Sequence, residues 1–213
     1  MTKKQLAEKI VLRLEKAYPK VMCGLKFDEP WKLLVSVRLS AQCTDERVNV
    51  VTEELFTLYP TVNSIAESSP EKIEKIIRPC GLGVTKARDV FLAMNKLLTD
   101  FSGKVPSTMD ELLSIPGVGR KSANLILGEV YGMPSIVVDT HCMRLSRRLG
   151  LTDSTNPTTI EHELKKLVPE DKSTAFCHRL ISMGRAICTA RSPKCHLCFL
   201  SDICRTYLGE NAP

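Results

Sequence analysis

The chain has 213 residues, 43% of them hydrophobic, enough to bury a core in one or two domains. Lys3, Lys4, Lys9, Arg13 and Lys16 interrupt its start, which excludes a signal peptide or membrane span there and predicts a cytosolic protein. Nine cysteines in a reducing compartment point to metal binding or packing rather than disulfides, and a net charge of +6 permits a polyanionic partner without requiring one.

Helix signals follow one another along the chain. Leu6, Ile10, Leu14 and Ala17 fall on one face of a first helix. Val35 to Ser40 alternates like a strand, but Pro30 is suited to opening a helix and no partner strand is evident, so a buried helix is predicted. Ser69 before Pro70 reads as an N-cap with proline at the first helical position. Ala87, Val90, Phe91, Met94, Leu97 and Leu98 form the apolar face of the next helix, and Thr108 with Glu111 has the spacing of a capping box. No repeat, low-complexity run or long linker divides the chain, so any domain boundary is hidden in a chain that passes back and forth.

Pro116-Gly117-Val118-Gly119-Arg120-Lys121 then separates two predicted helices, the second with Ala123, Ile126, Leu127, Val130 and Tyr131 on its buried face. Glycine tolerates the positive φ of a tight hairpin and lets a phosphate approach successive amides, where the next helix also presents its positive end. The segment reads as a phosphate-gripping turn or as a plain connector. A Walker A loop is excluded because Arg120 precedes Lys121 where glycine is required, and a dinucleotide fingerprint lacks its strand and third glycine. The helix dipole and Arg120 disfavour an ammonium at Lys121, which makes an amine nucleophile plausible beside the simpler role of phosphate contact.

Downstream, apolar Ser135 to Val138 runs into Asp139-Thr140-His141, with Asp139 suited to cap the helix that carries Arg144, Arg147 and Arg148. A carboxylate there is also able to take a proton and stabilise a developing cation. Near the end, Cys188, Cys195, Cys198 and Cys204 are spaced C-x6-C-x2-C-x5-C, a metal site for which zinc and an iron-sulfur cluster both remain open. His196 reads as a loop residue, and Arg185, Arg191, Lys194 and Arg205, facing only Asp202, make the loop a basic knob.

Taken together, LSAQCTD at 39–45, IPGVGRKSA at 115–123, VDTH at 138–141 and the cysteine loop resemble the endonuclease III family of helix-hairpin-helix DNA glycosylases with lyase activity, over nearly the whole chain. The resemblance implies an all-α protein with two helical lobes and a DNA-binding cleft. One lobe would be a six-helix unit over 23–133 with the helix-hairpin-helix at about 108–131. The other would join 1–22 to 134–213 and carry the iron-sulfur loop at 188–204. It makes Lys121 the nucleophile and Asp139 its activating carboxylate, with a 4Fe-4S cluster on Cys188, Cys195, Cys198 and Cys204. DNA contacts are implied at Gly117, Val118, Gly119, Arg120, His141 and Arg144. Gln42 would fill the gap left by the extruded nucleotide, and Leu82 would wedge the opposite strand; Cys43 and Gly83 stand where the family varies.

The implied substrate is double-stranded DNA containing damaged pyrimidines or abasic sites, handled by a monomer in the cytoplasm, at the nucleoid in a bacterium. A damaged base stacks poorly and is cheaper to flip out, which contributes selectivity. Two other readings are a monofunctional adenine-type glycosylase and a non-catalytic hairpin DNA-binding protein. The first is opposed by Lys121 and by the lack of an extra C-terminal domain; the second makes Asp139 only a cap.

Overall fold

The computed structural model describes residues 1–210. Among them lie twelve α-helices and no strand: α1 (Lys3–Ala17), α2 (Pro30–Leu39), α3 (Asp45–Leu58), α4 (Val62–Ala66), α5 (Pro70–Ile77), α6 (Gly83–Phe101), α7 (Met109–Leu113), α8 (Arg120–Tyr131), α9 (Thr140–Leu149), α10 (Pro157–Leu167), α11 (Ser173–Ala186) and α12 (Arg205–Glu210). Short 3-10 turns at Arg78–Cys80, Glu170–Lys172, Cys195–Leu197 and Ser201–Ile203 link several of them. No helix among the described residues is long and apolar enough to cross a membrane. The chain forms two compact units, Cys23–Gly132 and Met1–Met22 with the chain from Met133 onward.

The unit Cys23–Gly132 contains α2 to α8, seven helices rather than six, because the five-residue α4 is closed off by its own capping box of Thr61 and Ser64. In α2, Trp31, Leu33, Leu34, Val35, Ser36, Val37 and Leu39 are all buried. A helix surrounded on every side has no polar face to reveal its period, which is why Val35 to Ser40 looks strand-like. α6 packs on α4 and α5 and buries Ala87, Val90, Ala93, Met94 and Leu97, while Phe91 and Leu98 are partly buried. Each large apolar side chain so buried contributes roughly 1.5–3 kcal/mol, which outweighs any intrinsic preference of the segment. Ser69 caps α5 as predicted, accepting the Lys72 N–H at 3.4 Å.

In the other unit, α1 starts at a capping box of Thr2 and Gln5. Its buried stripe is Ala7, Ile10, Val11 and Leu14; Leu6 is half-buried and Ala17 exposed, so the face is rotated from the predicted one. That face packs on α10 and α11, which bury Ile160, Leu164, Phe176, Leu180 and Met183. α11 also packs on α9, whose Leu145 and Leu149 are buried.

Candidate functional site

The glycine segment is the turn of a helical hairpin. Thr108 caps α7, its hydroxyl oxygen accepting the Glu111 N–H at 3.3 Å. The predicted box is only half made: the Glu111 carboxylate accepts the Thr108 hydroxyl at 2.5 Å and does not return to the backbone. The chain then turns through Ile115, whose carbonyl accepts the Val118 N–H at 3.1 Å. Gly117 has φ +78°, and a Cβ there would lie 2.8 Å from Arg38 Cδ and 2.9 Å from Asp89 Cβ. Arg38 of α2 and Asp89 of α6 form a partly buried ion pair at 2.6 Å, and the turn rests on it.

Gly119 differs from Gly117. It is the N-cap of α8 in extended conformation, φ −102°, with no side-chain cap, and a Cβ there would meet nothing within 4 Å. Helix geometry leaves the amides of Lys121 and Ser122 without intrahelical acceptors. Lys121 is exposed on this first turn, while Ala123 and Ile126 are fully buried and fix the helix beneath it.

Gln42 and Leu82 share an unusual backbone. With Ser102 they are the non-glycine residues of positive φ among the described residues, at +57° and +53°, and both are exposed. Left-handed conformation is unfavourable for a leucine, so it persists only where the surroundings impose it. Leu82 is the N-cap of α6, and Gln42 lies between α2 and α3.

In the other unit Asp139 is the N-cap of α9, its Oδ1 accepting the Cys142 N–H at 2.7 Å; the carboxylate is half-buried. Buried Ile136, Val137 and Val138 lead into it, and the Ser135 and Val137 N–H groups are held by Ser173 Oγ at 3.0 Å and Cys177 Sγ at 3.2 Å. His141 is half-buried, with its Nδ1 3.2 Å from Arg144 Nη2. The three arginines of α9 do not form one solvent face. Arg144 donates to the carbonyls of Gly184 at 3.3 Å and Cys188 at 3.0 Å, which leaves only the far end of its guanidinium for an outside group. Arg148 turns wholly to the cysteine loop, donating to Cys188 Sγ at 3.3 Å and to the Thr189 and Ala190 carbonyls at 2.8 and 2.9 Å. Arg147 alone stands exposed.

Cys188, Cys195, Cys198 and Cys204 line one cavity of about 60 Å³ together with Arg148, Leu149 and Ile187. Among the described residues no three His, Cys, Asp or Glu side chains are close enough to hold a single metal ion. Four thiols round one cavity are a donor set of the kind that holds an iron-sulfur cluster. Cys188 Sγ accepts from Arg148 and Cys198 Sγ accepts the Leu200 N–H at 3.4 Å, the donors a charged sulfur cluster calls for. Burial pushes the Cys198 thiol up, so a cluster must compete with its proton. The loop's charges pair with residues outside it: Arg205 with Asp153, and Asp202 with Arg13 through bonds of 2.5 and 2.9 Å, so Asp202 does not offset the loop's own cations. His196 is exposed in the loop.

The fold and these sites define a class. Residues 35–170 match the family model of HhH-GPD superfamily base excision DNA repair proteins, and residues 188–204 match the iron-sulfur binding domain of endonuclease III. Among relatives, Endonuclease III of Synechocystis sp. is 46% identical over 204 residues, 95% of this chain and 93% of that protein. Endonuclease III of Bacillus subtilis is 39% identical over 189 residues, 88% and 86% of the two chains. A solved trapped endonuclease III–DNA covalent intermediate matches with a TM-score of 0.92 and 38% identity over 99% of each chain. The chain belongs to the endonuclease III family, and is a DNA-binding base excision repair enzyme, a DNA glycosylase and abasic-site lyase with a 4Fe-4S cluster.

Sequence reasoning passed over three residues that shape these sites: Arg38 and Asp89 beneath the hairpin, and Lys86 on the buried side of α6. A lysine four residues before Val90 on an apolar stripe was the available signal.

Proposed function

We propose that this chain removes damaged pyrimidines from double-stranded DNA and cuts the resulting abasic site, with Lys121 as nucleophile and Asp139 as its carboxylate partner. The carrying observation is Lys121 itself, an exposed amine on the first turn of a helix entered through a glycine turn with open space at Gly119. The covalent protein–DNA intermediate described for the 38% identical structure supports a nucleophile supplied by the protein.

The Lys121 amine attacks C1′ of the flipped deoxyribose, the glycosidic bond breaks, and the base leaves with the bonding electrons and takes up a proton. Asp139 stabilises the cationic sugar and accepts a proton from the attacking amine. Ring opening gives a Schiff base between Lys121 and C1′. Loss of a C2′ proton then expels the 3′ phosphate by β-elimination, and water releases the lysine. One amine thus serves both steps.

The amides of Gly117, Gly119 and Arg120 grip phosphate, with His141 and Arg144 contributing at the start of α9; such contacts fix position without reading sequence. The Val118 N–H is already held by the Ile115 carbonyl, so Val118 contributes the turn and not a donor. Gln42 fills the gap left by the flipped nucleotide and Leu82 wedges the opposite strand, a reading supported by their exposure in a strained backbone conformation. The two units act as lobes, 23–133 carrying the hairpin and 1–22 with 134–213 carrying the cluster loop. Cys188, Cys195, Cys198 and Cys204 would hold the cluster, which supplies a structural cross-link to the loop. The enzyme acts as a monomer, and because its substrate is chromosomal it works in the cytoplasm, at the nucleoid in a bacterium.

Borohydride trapping tests the mechanism. Wild-type protein should form a covalent adduct with a thymine glycol duplex, and Lys121→Ala should form none. An adduct with Lys121→Ala would move the nucleophile elsewhere.

A further inference from the structure

Lys86 has no exposed surface, yet it lies on the apolar side of α6 with Val90, Ala93 and Leu97. Burying an ammonium is costly unless its donors are all met. Here three donors meet three backbone carbonyls, of Leu39 at 2.7 Å, Ala41 at 2.7 Å and Cys80 at 2.8 Å. Burial still lowers its pKa, so the environment is not one that simply welcomes a charge. A methionine would fill the same core space without that cost, so the volume alone does not call for a lysine.

The three carbonyls are informative. Leu39 ends α2 and Ala41 immediately precedes Gln42; Cys80 ends the 3-10 turn two residues before Leu82. The Lys86 N–H also bonds the Leu82 carbonyl at 3.0 Å. One side chain therefore spans the two segments that carry the exposed left-handed residues Gln42 and Leu82, which come from opposite sides of α3 to α5 in the chain. A three-way bond from a single nitrogen fixes the carbonyls relative to one another, and hence the two chain segments.

We propose that Lys86 is a positioning residue that sets the spacing of Gln42 and Leu82 for insertion into the DNA stack. It touches no DNA itself, being fully buried. The proposal rests on the reading of Gln42 and Leu82 as inserting groups. A displacement of an inserted group by an ångström is enough to cost about a hundredfold in a step that depends on geometry. Chemistry on an abasic site in single-stranded DNA needs no insertion, and so provides the contrast.

The test uses the full chain with its cluster and compares Lys86→Met, the pair Gln42→Ala with Leu82→Ala, and all three changes together. Near-visible cluster absorbance and thermal unfolding check the fold. Single-turnover base removal from a thymine glycol duplex is measured beside cleavage of a single-stranded abasic oligonucleotide. We expect Lys86→Met to lower duplex base removal about tenfold to a hundredfold while single-strand cleavage stays within about twofold, and to add little to the Gln42/Leu82 loss in the triple variant. If both activities fall together, if duplex activity is unchanged, or if the losses simply multiply, Lys86 is only a core staple. If the Gln42/Leu82 pair leaves duplex activity intact, the insertion reading fails and the Lys86 proposal falls with it. Should Lys86→Met not fold, hydrogen exchange of the wild type decides. The Cys43 and Gly81 amides, bonded to the Ser40 and Arg78 carbonyls at 3.1 and 3.0 Å, should exchange as slowly as core amides, and rapid exchange over a protected core would overturn the proposal.

Discussion

Gly117 lies against Arg38: a single added carbon at the glycine would come within 2.8 Å of the arginine Cδ, and Asp89 holds that arginine in place at 2.6 Å. The hairpin turn is thus seated on an ion pair contributed by α2 and α6. Gly117→Ala meets both the clash and a φ of +78°, and should destabilise the protein by about 1–3 kcal/mol. Gly119→Ala has neither obstacle and should unfold at nearly the wild-type temperature, yet its methyl stands where a phosphate would approach and should weaken binding to duplex DNA. Thermal unfolding and a DNA titration on the two variants separate the roles. Equal stability loss in both would remove the distinction.

Asp139 does two things that substitution can part. As N-cap it accepts the Cys142 N–H at 2.7 Å, and asparagine caps a helix about as well as aspartate. Asp139→Asn should therefore keep the thermal midpoint within a few degrees while slowing base removal by about a hundredfold or more, since the negative charge is gone. Asp139→Ala should lose in addition about 1 kcal/mol of stability. Single-turnover kinetics beside unfolding curves read both effects; full activity in the asparagine variant would leave Asp139 as a cap alone.

Arg13 of α1 reaches the cysteine loop, bonding the Phe199 carbonyl at 3.0 Å and both Asp202 oxygens. The hydrogen bond from Arg13 holds the Asp202 carboxyl below the usual carboxylate range. The folded protein therefore binds fewer protons here than the unfolded chain, so the contribution is complete above the ordinary carboxylate range and lost as pH falls through the lowered value. The pair is largely exposed, so its worth is below about 1 kcal/mol and is screened by salt. Unfolding of wild type and Asp202→Asn should differ slightly at neutral pH in low salt and converge in acid.

Arg148 donates to Cys188 Sγ and to two carbonyls that follow it. Arg148→Met should leave α9 folded but loosen this loop, and the cluster absorbance should decay faster on exposure to air or chelator than in wild type. An unchanged decay would show that the thiols alone hold the group.

What was legible in the sequence was what short-range chemistry writes there. The caps at Ser69 and Asp139 and the glycine hairpin depend on residues within a few positions of one another, and each took its predicted local form. Long-range pairings were not legible. Arg148 and Arg144 look in sequence like free cations because their acceptors are carbonyls about forty residues away, and carbonyls carry no sequence signature. Arg205 looked unpaired because Asp153 lies 52 positions before it. The rotated face of α1 has the same origin, since its register is set by α10 and α11 and not by its own pattern.

Leu82 is a leucine held at φ +53° and 55% exposed, a choice unfavourable both to its backbone and to its side chain. Nothing in the fold requires a leucine here, and Gly81 beside it already adopts positive φ without difficulty. Glycine at 82 would relieve the left-handed conformation and remove an exposed apolar group, so Leu82→Gly should unfold at the same temperature or higher, a gain of up to about 1 kcal/mol. Removing the wedge should at the same time slow base removal from duplex DNA, while cleavage of a single-stranded abasic site is unaffected. A variant that is both less stable and equally impaired on the two substrates would mean that Leu82 serves the fold and has no separate part in opening the helix.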